Sequence, residues 1–157
     1  MMKKKLHKSN FGSKFSNKSI ENLKIIYKYM INIAIIYDEI DIKLYNKKRY
    51  KRHSVYYSAI RIGEAANQLK KEMTLNKMYE IIPGIPWQDI IEIRHNLAHT
   101  YNDDSGRDAN TSVKIWVYNV YKHIHSYLKE ISKVIGIPYI FRDKNFDIQK
   151  WIKDSNI

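Results

Sequence analysis

The chain is 157 residues long, lacks cysteine, and carries 28 Lys and Arg against 16 Asp and Glu, for a formal charge of +12. That length suits one domain with a real core, and the missing cysteine excludes disulfides and thiolate metal sites and fits a reducing, cytoplasmic compartment. No apolar run is long enough to cross a bilayer, and residues 1–19 lack the apolar centre of a signal peptide, so neither membrane insertion nor export is expected.

Residues 1–18 read as a flexible basic arm. Lys3, Lys4, Lys5, Lys8, Lys14 and Lys18 supply half of the net charge, and no acid offsets them. Such a balance favours a polyanionic partner such as RNA, drawn in by counterion release. A codon bias toward Lys, Ile, Asn and Tyr would raise the charge equally well without a purpose. Ser19 is the expected N-cap of a first helix, with Glu21 in its first turn. Leu23, Ile26, Tyr27, Met30, Ile31 and Ala34 then recur at helical spacing and carry that helix to the neighbourhood of Asp41. Residues 43–53 are polar and basic and are expected to include the first turn-around.

In the second helix Val55, Ala59, Ile62, Ala66, Leu69 and Met73 form a narrow seam in steps of four and three. Gly63 lies beside that seam. A glycine inside a helix costs roughly 1 kcal/mol against alanine, which points to a neighbouring backbone that must come close. The stretch Ile81-Ile82-Pro83-Gly84-Ile85-Pro86-Trp87 breaks the pattern. Pro86 suits the first turn of a third helix and Asp89 its positive end. Trp87, Ile90, Ile91, Leu97 and Ala98 mark its apolar face, and the polar run 102–108 ends it. The fourth helix carries the longest stripe, with Val113, Trp116, Val117, Val120, Ile124, Tyr127, Leu128, Ile131 and Ile135, closed by Gly136 and Pro138. Four amphipathic helices over residues 19–135, with no comparable strand signal, imply an all-α helical bundle. Residues 136–157 keep Tyr139, Phe141, Phe146, Trp151 and Ile152 and read as a C-terminal extension that packs on the bundle or on a partner.

The third helix carries Ile93-Arg94-His95-Asn96-Leu97-Ala98-His99-Thr100-Tyr101. Arginine holds phosphate with a fixed positive fork, and histidine moves protons near neutral pH. Together they supply what phosphodiester cleavage needs, and neither requires a metal or another cofactor. The apolar arc of this helix centres near Arg94, and a charge aimed into such a face is costly unless paired or used. Three resolutions are open: a buried ion pair with Glu64 as partner, the edge of a cleft, or a subunit interface. His99 lies five residues on, about 140° around an ideal helix. The two side chains converge only if the helix loosens near its end, or if two protomers face each other across an isologous dimer.

His95 and His99 stand at a spacing that metal ligands also use. No Glu completes the zinc-protease pattern and no third ligand is evident, so no metal is expected. His123 and His125 read as surface or boundary residues beside the fourth helix's stripe. Tyr101 is either an amphipathic tyrosine at a helix end, one of 13 in the chain, or a hydroxyl placed to bind a backbone oxygen or to be modified.

These pieces resemble the HEPN superfamily, specifically HepT-like toxins paired with a minimal nucleotidyltransferase. The resemblance spans roughly residues 19–135. It rests on Arg94-x4-His99-x-Tyr101, on Ile85-Pro86-Trp87-Gln88-Asp89-Ile90-Ile91 before it, and on Ile62-Gly63-Glu64-Ala65-Ala66-Asn67 in the second helix. It implies an up-and-down four-helix bundle that dimerises with its motif helices facing. It also implies metal-independent ribonuclease activity with Arg94 and His99 catalytic, and with His95, Asn96 and Tyr101 in support. The nucleotidyltransferase antitoxin of such a pair transfers AMP to the motif tyrosine, which matches Tyr101. The acidic loop 102–108, the basic arm and the C-terminal extension depart from the pattern. A non-catalytic alternative is a HEPN-type substrate-binding or antitoxin subunit of a nucleotidyltransferase, since His99-Thr100-Tyr101 fits that group as well.

Overall fold

A computed structural model of the protein describes residues 15–39, 42–101, 111–137 and 139. Among them are seven helices and no strand, as an all-α chain requires. The side chains of residues 42, 46, 99–101 and 111–113 lie outside the described ones, as do residues 1–14 of the expected basic arm and most of the expected C-terminal extension.

Helix α1 (Asn17–Glu39) starts earlier than expected. Ser16, not Ser19, is its N-cap: the Ser16 hydroxyl accepts the Ser19 N–H at 3.1 Å. Ser19 is itself buried and donates its hydroxyl to Glu72. Phe15 already belongs to the core, so the chain is packed before residue 18. The face built on Leu23, Ile26, Tyr27, Met30, Ile31 and Ala34 is buried as the spacing requires, with Ile33 and Ile36 added.

Residues 43–53, expected to include the first turn-around, are otherwise helical, with a break at Lys48. Helix α2 (Ile42–Lys47) and helix α3 (Arg49–Met73) are separated by Lys48 alone. The polar composition conceals two buried groups at this corner. Tyr45 is buried, and buried Arg52 donates to its backbone carbonyl at 3.2 Å. The α3 seam of Val55, Ala59, Ile62, Ala66 and Leu69 is buried throughout.

A further helix, α4 (Leu75–Ile81), was not evident from the pattern. Thr74 separates it from α3 with φ 77°, a backbone region that costs a β-branched residue on the order of 1–3 kcal/mol. Its hydroxyl accepts the Lys77 N–H at 3.4 Å, and buried Met78 anchors the short helix.

Helix α5 (Trp87–Tyr101) begins where Pro86 predicts, with the Pro86 carbonyl accepting from the Ile90 N–H at 3.1 Å. Trp87 is fully buried and donates its indole N–H to the Ile82 carbonyl at 3.2 Å. The Tyr79 hydroxyl of α4 accepts the free Gln88 N–H at 2.9 Å, satisfying one orphan donor of the first turn. The buried face consists of Trp87, Ile90, Ile93 and Leu97. Ile91 and Ala98 are only half-buried, so the arc is rotated from the expected one and Arg94 stands at its edge rather than its centre.

The expected fourth helix is two: α6 (Thr111–Tyr121) and α7 (Ile124–Ile135). The chain breaks at Lys122 and His123, and the Tyr127 hydroxyl donates to the Val120 carbonyl beside the break. The apolar stripe survives because Val117, Val120, Ile124, Tyr127, Leu128 and Ile131 remain on the core side, joined by Tyr121. Gly136, at φ 72°, ends α7 in the left-handed cap expected of it.

Helix α3 is central. It packs against α1 on one side and α5 on the other, while α7 covers α1 and α6 meets α5. The α1–α3 pair is antiparallel: Asn22 near the start of α1 donates to Glu72 near the end of α3 at 3.0 Å, and Lys51 meets Glu39 at the other end at 3.8 Å. With α6 and α7 counted as one broken rod, the result is an up-and-down four-helix arrangement. No helix among the described residues is long and apolar enough to cross a membrane.

The tightest point of the bundle is Gly63. A Cβ added there would lie 2.2 Å from the Arg94 Cβ and 3.0 Å from the Ile90 carbonyl oxygen. Neither obstacle is the far end of a flexible side chain, so α5 as a whole would have to move. Gly63→Ala is therefore expected to destabilise the fold by about 1–3 kcal/mol, despite alanine's better helix propensity. Urea unfolding reads this directly; an unchanged or raised midpoint would mean that α3 and α5 part without cost.

Candidate active site

Arg94 leaves α5 at the margin of its buried face, with its Cβ and Cγ against Gly63. From there it lines a cleft of about 400 Å³ between α1, α3 and α5. The polar groups that share this cleft come mostly from one face of α3, where Arg61, Glu64, Gln68 and Lys71 follow at steps of three and four. Asn67 joins them from α3 and Asn22 from α1.

The expected Arg94–Glu64 ion pair does not form. Glu64 instead pairs with Arg61, one turn away on its own helix, at 2.9 Å. Arg61 also stands 5.6 Å from the centre of the Tyr29 ring. A hydrogen bond with Tyr29 and the charge of Glu64 raise the pKa of Arg61 against the opposing effect of burial. Among the described residues no carboxylate pairs with Arg94. Of the three resolutions open for this arginine, the edge of a cleft is the one realised within a single chain.

His95 and Asn96 are exposed on α5. His99 and Tyr101 occupy its last turn, and their side chains lie outside the described ones. The helix runs unbroken to Tyr101, so its backbone register sets positions 94 and 99 about 140° apart. Loosening of the helix is thus not what brings the two together. Position 101, by contrast, returns to the side of position 94 after nearly two turns, about 10.5 Å along the axis. No cluster of three His, Cys, Asp or Glu side chains suited to a metal ion occurs among the described residues.

Two groups of residues escaped the sequence reading. The polar stripe of α3 was open to discovery through its three-and-four spacing. The other group was not. His125, read as a boundary residue, places Nε2 2.9 Å from Asp38 on α1 and Nδ1 against the Tyr139 hydroxyl. These partners are 87 and 14 residues away, so no local pattern links them. Lys129 lies over the Tyr139 ring at 5.6 Å, and the first part of the C-terminal extension is thereby held on the bundle.

Residues 20–106 match the family model described as HepT-like, "Ribonuclease HepT-like". The matched stretch covers more than half of the chain and takes in most of α1 and all of α2 to α5, with the whole of the Arg94 to Tyr101 segment. No curated protein and no solved structure gives a match.

The arginines divide by what truncation should cost. Arg52 is buried and bonded to backbone, so Arg52→Ala should lower stability by about 1–3 kcal/mol. Arg94→Ala should cost less, up to about 1 kcal/mol, because its Cβ is kept, only the packing of its stem on Gly63 is lost, and its head group holds no ion pair among the described residues. Thermal melts of the two variants check this, and equal losses would make Arg94 a structural residue.

Proposed function

The chain belongs to the HepT-like ribonuclease family, and from that premise we propose that it is a metal-independent endoribonuclease toxin of a toxin–antitoxin pair, with Arg94 and His99 as its catalytic residues. The observation that carries this reading is Arg94 itself, a half-buried cation at a cleft with its expected carboxylate engaged elsewhere. Such a group is poised for an anion supplied from outside.

In the reaction the RNA 2′-hydroxyl attacks the adjacent phosphorus, a new P–O2′ bond forms, and the P–O5′ bond breaks. His99 takes the 2′ proton or delivers one to the departing 5′ oxygen, help worth roughly 10²–10⁴ in rate. Arg94 offsets the charge that develops on the phosphoryl oxygens, and its fork fits two of them at once. Because positions 94 and 99 diverge around α5, the site is completed by a second copy of the chain, whose motif helix faces the first in a symmetric dimer. The two copies then share the acid and base roles, with His95, Asn96 and Tyr101 in support.

A nucleotidyltransferase partner neutralises this toxin by transferring AMP from ATP to the Tyr101 hydroxyl: the bond from the tyrosyl oxygen to the α-phosphorus forms, the bond to pyrophosphate breaks, and the hydroxyl proton is lost. The modification adds a negative phosphate at position 101, whose backbone register falls on the side of position 94, and it competes with RNA for the guanidinium.

Incubation of the purified chain with mixed RNA in EDTA tests the proposal. Cleavage by the wild type is expected, with His99→Ala lowering the rate by about 10²–10⁴. Arg94→Lys should lower it by about 10²–10³, as loss of an oriented donor does. Undiminished cleavage by His99→Ala would remove that residue from the mechanism. No cleavage by any form would favour the non-catalytic, nucleotidyltransferase-binding subunit, and intact mass would then show whether Tyr101 already carries AMP.

A further inference from the structure

We propose that the α1–α3–α5 cleft is a subsite for one nucleotide of the RNA strand, held through the phosphates at its two ends and selected by its base. The inference rests on the ribonuclease reading for its choice of nucleotide over other anions. Two cations in the cleft hold no carboxylate among the described residues, Arg94 and Lys71, whereas Arg61 is occupied by Glu64. Arg94 sits at the level of Gly63 on α3, eight residues before Lys71, which places the backbone anchors of the two cations about 12 Å apart along the helix. Long side chains on anchors so spaced can each take one of two successive phosphates.

Between them Asn67 and Gln68 present side-chain amides, groups that both donate and accept and so suit a base edge. Asn22 faces them from α1 in a fixed orientation. Its Nδ2 donates to Glu72 at 3.0 Å, which leaves its Oδ1 and its second amide N–H for the cleft. Ile25 and Ala65 supply an apolar floor for a flat ring. A volume of about 400 Å³ lies within the range of small-ligand sites and admits a single nucleotide. The arrangement gives RNA binding a base preference at the position beside the scissile phosphate, since Arg94 belongs to both places.

The test is titration of the full-length protein at low salt with three probes: nucleoside 3′,5′-bisphosphates of the four bases, the corresponding 5′-monophosphates, and ribose 5-phosphate. The bisphosphate should bind at least about fivefold more tightly than the monophosphate, and Lys71→Ala should abolish that difference, as expected for loss of one charge-assisted contact. Gln68→Ala and Asn67→Ala, which remove the amides without adding charge, should alter the order of the four bases while leaving binding of ribose 5-phosphate, which has no base, unchanged. Lys71 and Gln68 are exposed, so their variants keep the fold, and an unchanged thermal melt verifies it. Equal binding of ribose 5-phosphate and the nucleotides would overturn the proposal, as would a Lys71→Ala protein that retains the bisphosphate preference. A chain that shows the expected binding but cuts no RNA would sink the ribonuclease reading and leave the subsite standing. One that cuts RNA without this binding pattern would do the reverse.

Discussion

The contact between Gly63 and Arg94 is the constraint on which the arrangement of the other groups depends. It is a place where a side chain is missing so that another can begin. With hydrogen at position 63, the α5 backbone comes close enough for the Ile90 carbonyl and the first carbons of Arg94 to rest on α3. The burial of Ile90, Ile93 and Leu97 follows from that closeness, as does the opening of Arg94 onto the cleft. The entry of α5 is fixed independently by Trp87, bonded to the Ile82 carbonyl, and by the Tyr79 hydroxyl on the Gln88 N–H. Two fixed points separated by two turns leave the helix little freedom to rotate.

The same crossing explains how charges are distributed. A half-buried arginine ordinarily finds a carboxylate, and Glu64 was the obvious one. Glu64 lies on α3, however, where Arg61 is one turn away and needs no tertiary structure to reach it. The local pair wins, and Arg94 is left facing the cleft. Glu72 behaves in the same spirit at the end of α3, where Ser19 and Asn22 of α1 occupy its oxygens. The acids along this face are therefore committed to stabilising the bundle, and the cations that remain give the cleft its character.

Much of this was legible in the sequence where the signal was periodic or local. The seams of α1 and α3, the cap at Gly136 and the close approach at Gly63 all follow from residue types at fixed spacing. The motif on α5 singled out Arg94, and the structure removes one of its alternatives, the Glu64 pair, while placing the side chain at a cleft. The failures have physical causes. Ser16 and Ser19 are both competent caps one turn apart, and what decides between them, the burial of Phe15 and the Ser19 bond to Glu72, is tertiary. In residues 43–53 the helical stretches on either side of the Lys48 break give no pattern, because one buried tyrosine and one buried arginine do not make a stripe. The break at Lys122 and His123 is invisible because a short turn leaves the apolar residues facing the same way on either side. The Asp38–His125 contact joins residues 87 apart, a distance over which no pattern operates.

Arg94 also differs from an ordinary surface arginine in how much freedom it retains. Its Cβ and Cγ lie in the groove that Gly63 leaves open, so the torsions nearest the backbone are already restricted before any ligand arrives. An arginine side chain carries about 2 kcal/mol of rotamer entropy, and part of it is surrendered here during folding. A phosphate that meets this guanidinium thus encounters a group whose ordering is partly complete, and the affinity it gains is that of preorganisation rather than of an added contact.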